Sequence, residues 1–282
     1  MSAQSSSDQV VTNRQFAQGL ARAAAGALIF ALPLLMTMEM WWLGFYIERT
    51  RLLLFMLVNL AVLVPLSRIV GFERTSNWIE DVVDAFTAYG VAILVSAAIL
   101  ALIAIITPSM PPGEIFGKIA IQAVPASIGA ALARGQFAKR GDSEVGDSVD
   151  VEQTYAVELF LMLIGAVFIA FNLAPTEEMI AIAFKMSAWH ALAMIALSIV
   201  VLHAFVYALD FRGEEELPQG MSGLTGLLVF TIAGYGMALL VSLYVLWTFG
   251  RTDGASATQI AMMVTVLGFP AALGAGTARL IV

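Results

Sequence analysis

No cysteine occurs in the chain, which excludes disulfides, thiolate nucleophiles and thiolate-held metal or iron–sulfur centres. Histidine is nearly as scarce: His190 and His203 are the only two, and at thirteen positions apart on one predicted helix they stand about 20 Å from each other, too far to share a metal. Charged residues make up 12% of the sequence, where an average soluble protein has about 25%. Runs such as 91–106 therefore present no polar face to water, and a soluble core is excluded. A phosphate-binding glycine loop, a zinc-ligand spacing and a nucleophile–base–acid set are all missing, so neither enzymatic activity nor a cofactor is expected. The net charge of −7 argues against a nucleic-acid partner.

What is present is hydrophobic: 60% of 282 residues, arranged in segments of about the length a bilayer requires. Eight spans are predicted, over about 19–45, 52–70, 85–106, 115–133, 155–174, 188–209, 224–249 and 259–281. The fold class is thus all-α, a polytopic membrane protein whose environment is the lipid bilayer. Residues 1–15, polar and Ser-rich, read as a disordered cytoplasmic tail; the apolar run that follows is too long for a cleavable leader. Residues 135–153 form a charged linker between 16–134 and 154–282.

Those two halves repeat each other. The ten residues from Pro125 to Arg134 return as Pro270 to Arg279 with six identities, and Gly26 to Met40 matches Gly165 to Met179 with seven in fifteen. Tyr89 to Ser96 matches Tyr235 to Ser242 with six in eight. Four spans per half is an even number, so both halves enter the membrane from the same side. The expectation is two parallel four-helix repeats about a pseudo-two-fold axis along the membrane normal. With the N-terminus inside, nine Lys and Arg fall on the inner side and five on the outer, which places both termini in the cytoplasm.

Glu39 and Glu178 occupy equivalent places near the outer ends of the first and fifth spans. Two such carboxylates suit a cation-selective mouth, or a proton carrier, or simply helix ends at headgroup level beside Trp41 and Trp42. Pro125 and Pro270 each remove a helix donor inside a span, and the freed carbonyl must find a partner in protein or in a wet cavity. Gln122 and Ser127 on the same span add polar atoms to a candidate ion pathway, although interhelical hydrogen bonds are the plainer role. Glu73, Glu80, Asp81 and Asp84, with Glu214, Glu215 and Glu216 in the second half, make the inner face acidic. They suit attraction of divalent cations or a solvated loop.

The string Leu34 to Gly44, which contains Met38-Glu39-Met40-Trp41-Trp42, together with Gln122 to Arg134 and Tyr235 to Arg251, resembles a family of bacterial integral membrane proteins of uncharacterised function. The resemblance runs from about residue 19 onward and implies a bacterial inner-membrane location; it carries no catalytic residues. The leading expectation is a cation channel or transporter, for monovalent or divalent ions, with a path near the pseudo-two-fold axis. The alternative is a non-transporting scaffold or sensor that binds a partner through its acidic cytoplasmic loops. A homo-oligomer is compatible with either.

Overall fold

The computed structural model describes residues 13–70, 78–138, 155–207 and 227–279, and among them every regular element is a helix. The first half supplies α1 (Asn13–Leu35), α2 (Met38–Tyr46), α3 (Arg49–Val70), α4 (Trp78–Leu102) and α5 (Pro112–Ala138). The second supplies α6 (Tyr155–Leu173), α7 (Glu177–Lys185) and α8 (Ala188–Tyr207). A π-helical turn (Leu227–Ile232) then runs into α9 (Ala233–Thr248), and α10 (Ala257–Arg279) completes the set. Eight of these helical segments, 18 to 25 residues long, are apolar enough to cross a membrane. Their lengths of about 27–38 Å match the hydrocarbon thickness.

Two boundaries differ most from the sequence expectation. The first span does not continue to residue 45: the helix stops at Leu35, Thr37 takes extended angles (φ −100°, ψ 118°), and α2 starts afresh. Pro33 weakens the last turn of α1, and the helix restarts with Thr37 in the N-cap position, its backbone carbonyl accepting from Met40 N–H at 3.1 Å. The third span starts earlier than expected, at Trp78, so Glu80, Asp81 and Asp84 lie within the first two turns of α4 and not in a preceding loop. Carboxylates are favoured at the positive end of the helix dipole, so this polar stretch extends the helix.

Local chemistry explains several other ends. Pro112, with no N–H to lose, opens α5. Ser256 and Gln259 form a reciprocal capping box at α10, with Ser256 N–H donating to Gln259 Oε1 at 2.8 Å and Gln259 N–H to Ser256 Oγ at 3.3 Å. One turn type closes both α4 and α9. Ile103, Ala104 and Ile105 donate their N–H groups to the carbonyls of Ile99, Ala101 and Leu100; Phe249, Gly250 and Arg251 donate theirs to Val245, Trp247 and Leu246. The turn needs a left-handed residue, Gly250 at φ 71° in one case and Ala104 at φ 59° in the other.

The helices form two compact units that interleave in sequence. One contains α1, α3 from Met56, α4, and α5 from Gln122; the other contains α2, the start of α3 to Phe55, the start of α5 to Ile121, and everything from α6 onward. In the first unit α1 packs on α4 and crosses α5 at Gly26, where a Cβ would overlap the Gly129 carbonyl and the Ala133 methyl. The second unit is built around α10, which touches α6, α7, α8 and α9. Here a Cβ on Gly165 of α6 would overlap the Gly274 carbonyl and the Ala278 methyl of α10. Lipid tails are as apolar as leucine, so burial of apolar surface does not drive these crossings; close backbone approach and the dispersion contacts it allows do. Both helices with the repeated Pro-Ala motif are enclosed: 78% of the α5 span and 56% of the α10 span are buried, against 17–44% for the other six.

Candidate functional site

The whole α5 stretch Ala120–Ala131 is buried, and it carries polar side chains. Ser127 Oγ donates to the Val124 carbonyl at 2.6 Å, and Asn59 Nδ2 of α3 donates to Ser127 Oγ at 2.8 Å. Gln122, 1% exposed, donates through Nε2 to the carbonyl of Leu34 in the last turn of α1, at 3.0 Å. Its other amide atom, Oε1, is buried without a hydrogen-bond partner. Pro125 lies between the two polar residues on the same helix and is buried with them. It gives the Ile121 carbonyl no N–H to accept from. Pro270 on α10 deprives the Val266 carbonyl in the same way, but Leu267 and Ala272 stand there in the places of Gln122 and Ser127. The polar set therefore belongs to α5.

Glu39 and Glu178 are each the second residue of a nine-residue helix, α2 and α7, following a threonine N-cap. Glu39 is half-buried and Glu178 exposed, and neither forms an ion pair among the described residues. A carboxylate in a first turn also stabilises its own helix through the dipole, so both residues have a structural role as well as any ionic one. Of the expected inner acidic group, Glu73, Glu214, Glu215 and Glu216 lie outside the described residues. Glu80 is exposed, Asp84 half-buried and Asp81 only 2% exposed. Asp81 is thus a core residue of the first turn of α4 and not part of a solvated face. Among the described residues no three His, Asp or Glu side chains gather as a metal-binding group.

Sequence reasoning missed the ionic contacts of the second unit. Arg51, at the start of α3, forks onto Asp253 with Nη1–Oδ2 at 2.9 Å and Nη2–Oδ1 at 2.8 Å, donates to the Trp247 carbonyl at 3.0 Å, and lies 5.0 Å from the Trp247 ring centre. Beneath it Phe55 meets Phe171 and Phe249 edge to face, at 5.1 and 5.7 Å between ring centres. Arg251 donates to the carbonyl of Pro175, in the break between α6 and α7. Lys118 of α5, only 8% exposed, pairs with Glu114 at 2.7 Å. The last pair has a visible i,i+4 signature; residues 51 and 253 are 202 positions apart, and no local pattern joins them. The two histidines remain separate, His190 capping α8 with Ser187 Oγ at 2.7 Å and His203 meeting Thr231 Oγ1 of the π-helical turn at 2.9 Å.

Eight apolar spans, glycine-mediated crossings and large lipid-facing residues such as Trp189 and Leu94 make this a multi-pass integral membrane protein. A family model described as "Putative integral membrane protein (DUF2391)" matches residues 19–282. The chain belongs to that family. No curated protein and no solved structure matches the chain.

Proposed function

We propose that this protein moves a cation across the membrane in which it sits, along the polar residues of α5. The observation that supports this reading best is the enclosed α5 stretch with its Asn59–Ser127 pair and the unused amide oxygen of Gln122. An apolar helix at this depth needs no polar side chain for stability. A buried oxygen without a partner costs free energy, and polar groups inside a membrane protein commonly mark the route of a polar solute. The buried oxygens here are neutral acceptors, which suit a cation. Glu39 and Glu178, in the first turns of α2 and α7, would add negative charge that attracts cations to the protein. The orientation in this reading keeps both termini in the cytoplasm of a bacterial inner membrane.

Flux into liposomes containing the purified protein tests the proposal, with potassium, sodium, calcium and protons compared against empty vesicles. Selective flux of one cation is expected. The Asn59→Ala/Ser127→Ala variant should lose most of it, and Glu39→Gln/Glu178→Gln should slow it about tenfold at low salt and less at high salt. No flux of any of the four under a gradient or a voltage would reject transport. The protein would then be better read as a non-transporting scaffold or sensor whose acidic loops bind a partner.

A further inference from the structure

We infer that the end of α1 is a binding site for a partly dehydrated alkali cation, held by Gln122 Oε1 and the carbonyl of Leu34. The inference deepens the transport reading and rests on it for the purpose of the site. Its chemistry starts from the helix terminus. The last carbonyls of a helix have no intrahelical donor and carry the negative end of the dipole, which favours a positive charge. Gln122 reaches this terminus and donates through Nε2 to Leu34 O. The carbonyl can only accept, so the amide orientation follows, and Oε1 is left at the same terminus as a second acceptor, buried and without a partner. The terminal carbonyl of Leu34 and the amide oxygen of a glutamine only 1% exposed form a dry pair of neutral acceptors that suits a positive charge.

The matching terminus in the second half of the chain is built differently. Leu34 aligns on Leu173 and Met36 on Pro175, in the matching segments Gly26–Met40 and Gly165–Met179. There the Leu173 carbonyl accepts from Thr176 Oγ1 at 2.8 Å, and two residues further on the Pro175 carbonyl accepts from the guanidinium of Arg251. A cation supplied by the protein thus sits just beyond the end of α6. The residue in the corresponding turn of the first half is Ile105, which has no charge to offer, and the counterpart of Gln122 in the second half is the apolar Leu267. At the terminus with the arginine this position is a leucine; at the end of α1 it is a glutamine whose amide oxygen has no hydrogen-bond partner. Neutral oxygens without a carboxylate favour a monovalent ion over calcium or magnesium, which take carboxylate ligands and, in the case of magnesium, shed water reluctantly.

The test is cation-dependent thermal stability of the full chain in detergent, comparing sodium, potassium and calcium chloride with choline chloride at equal ionic strength. Sodium or potassium at about ten times its Kd should raise the Tm of the wild-type protein by about 3 °C. Gln122→Leu, which installs the residue found at 267, should fold and lose that rise; Gln122→Met removes the same oxygen if the leucine variant does not purify. The inference is overturned if neither alkali cation stabilises the wild type, if the rise persists without the glutamine oxygen, or if only calcium produces it. Stabilisation without liposome flux would keep the site and reject transport, and flux without stabilisation would do the reverse.

Discussion

Ala104 and Gly250 show how far a single side chain is tolerated in a fixed backbone turn. Both occupy the left-handed position that closes a spanning helix, at φ 59° and 71°. A Cβ in that region crowds the following carbonyl and costs about 1–2 kcal/mol, which glycine avoids. Ala104→Gly is therefore expected to stabilise the protein by about 1 kcal/mol, less what the freer unfolded chain takes back. A denaturant titration in mixed micelles measures this, and a loss of stability would mean that the alanine methyl has a packing role. Gln122 is the opposite case, a side chain whose backbone is ordinary and whose amide is half used. Its identity was legible in the sequence as a polar residue within a span. Which of its two amide atoms lacks a partner was not, because that depends on Leu34, 88 positions away.

Among the helices, α5 and α10 differ from the other spans by burial, and small residues are the reason. The pairs Gly26–Gly129 and Gly165–Gly274 bring backbones so close that a methyl group has no room. Gly165→Leu should therefore destabilise by about 3 kcal/mol or prevent insertion of α6 against α10, with Gly165→Ala intermediate. Thermal melts of both variants in one detergent would show this order, and a leucine variant as stable as the wild type would mean that the crossing can open at little cost. The glycines of this motif were readable from its recurrence. The breaks after α1 and α6 were harder to read: the second contains Pro175 and Thr176, but the first runs through Leu35, Met36 and Thr37 within an apolar stretch, where hydrophobicity alone extends a span too far.

For the molecule as a whole, the proposed topology has four spans between the segment before α1 and residues 139–154, which puts both on one side of the membrane. In the proposed orientation, which follows the Lys and Arg distribution, that side is the cytoplasm. A reporter inserted in 139–154 is expected to be active as a fluorescent protein and inactive as alkaline phosphatase; the reverse pair of results would invert the topology. The sequence by itself determined the class and the number of spans, because bilayer thickness and the absence of water act on each segment separately and leave a mark in local composition. Only the tertiary structure decided which polar atoms meet: Arg51 with Asp253, Arg251 with Pro175, Asn59 with Ser127, and Gln122 with the end of α1. Inside a membrane every helix is apolar on most of its surface, so the lipid sets no preference for one neighbour over another. Partners are chosen by close packing and by hydrogen bonds between residues distant in sequence, and the local pattern of a span does not encode either.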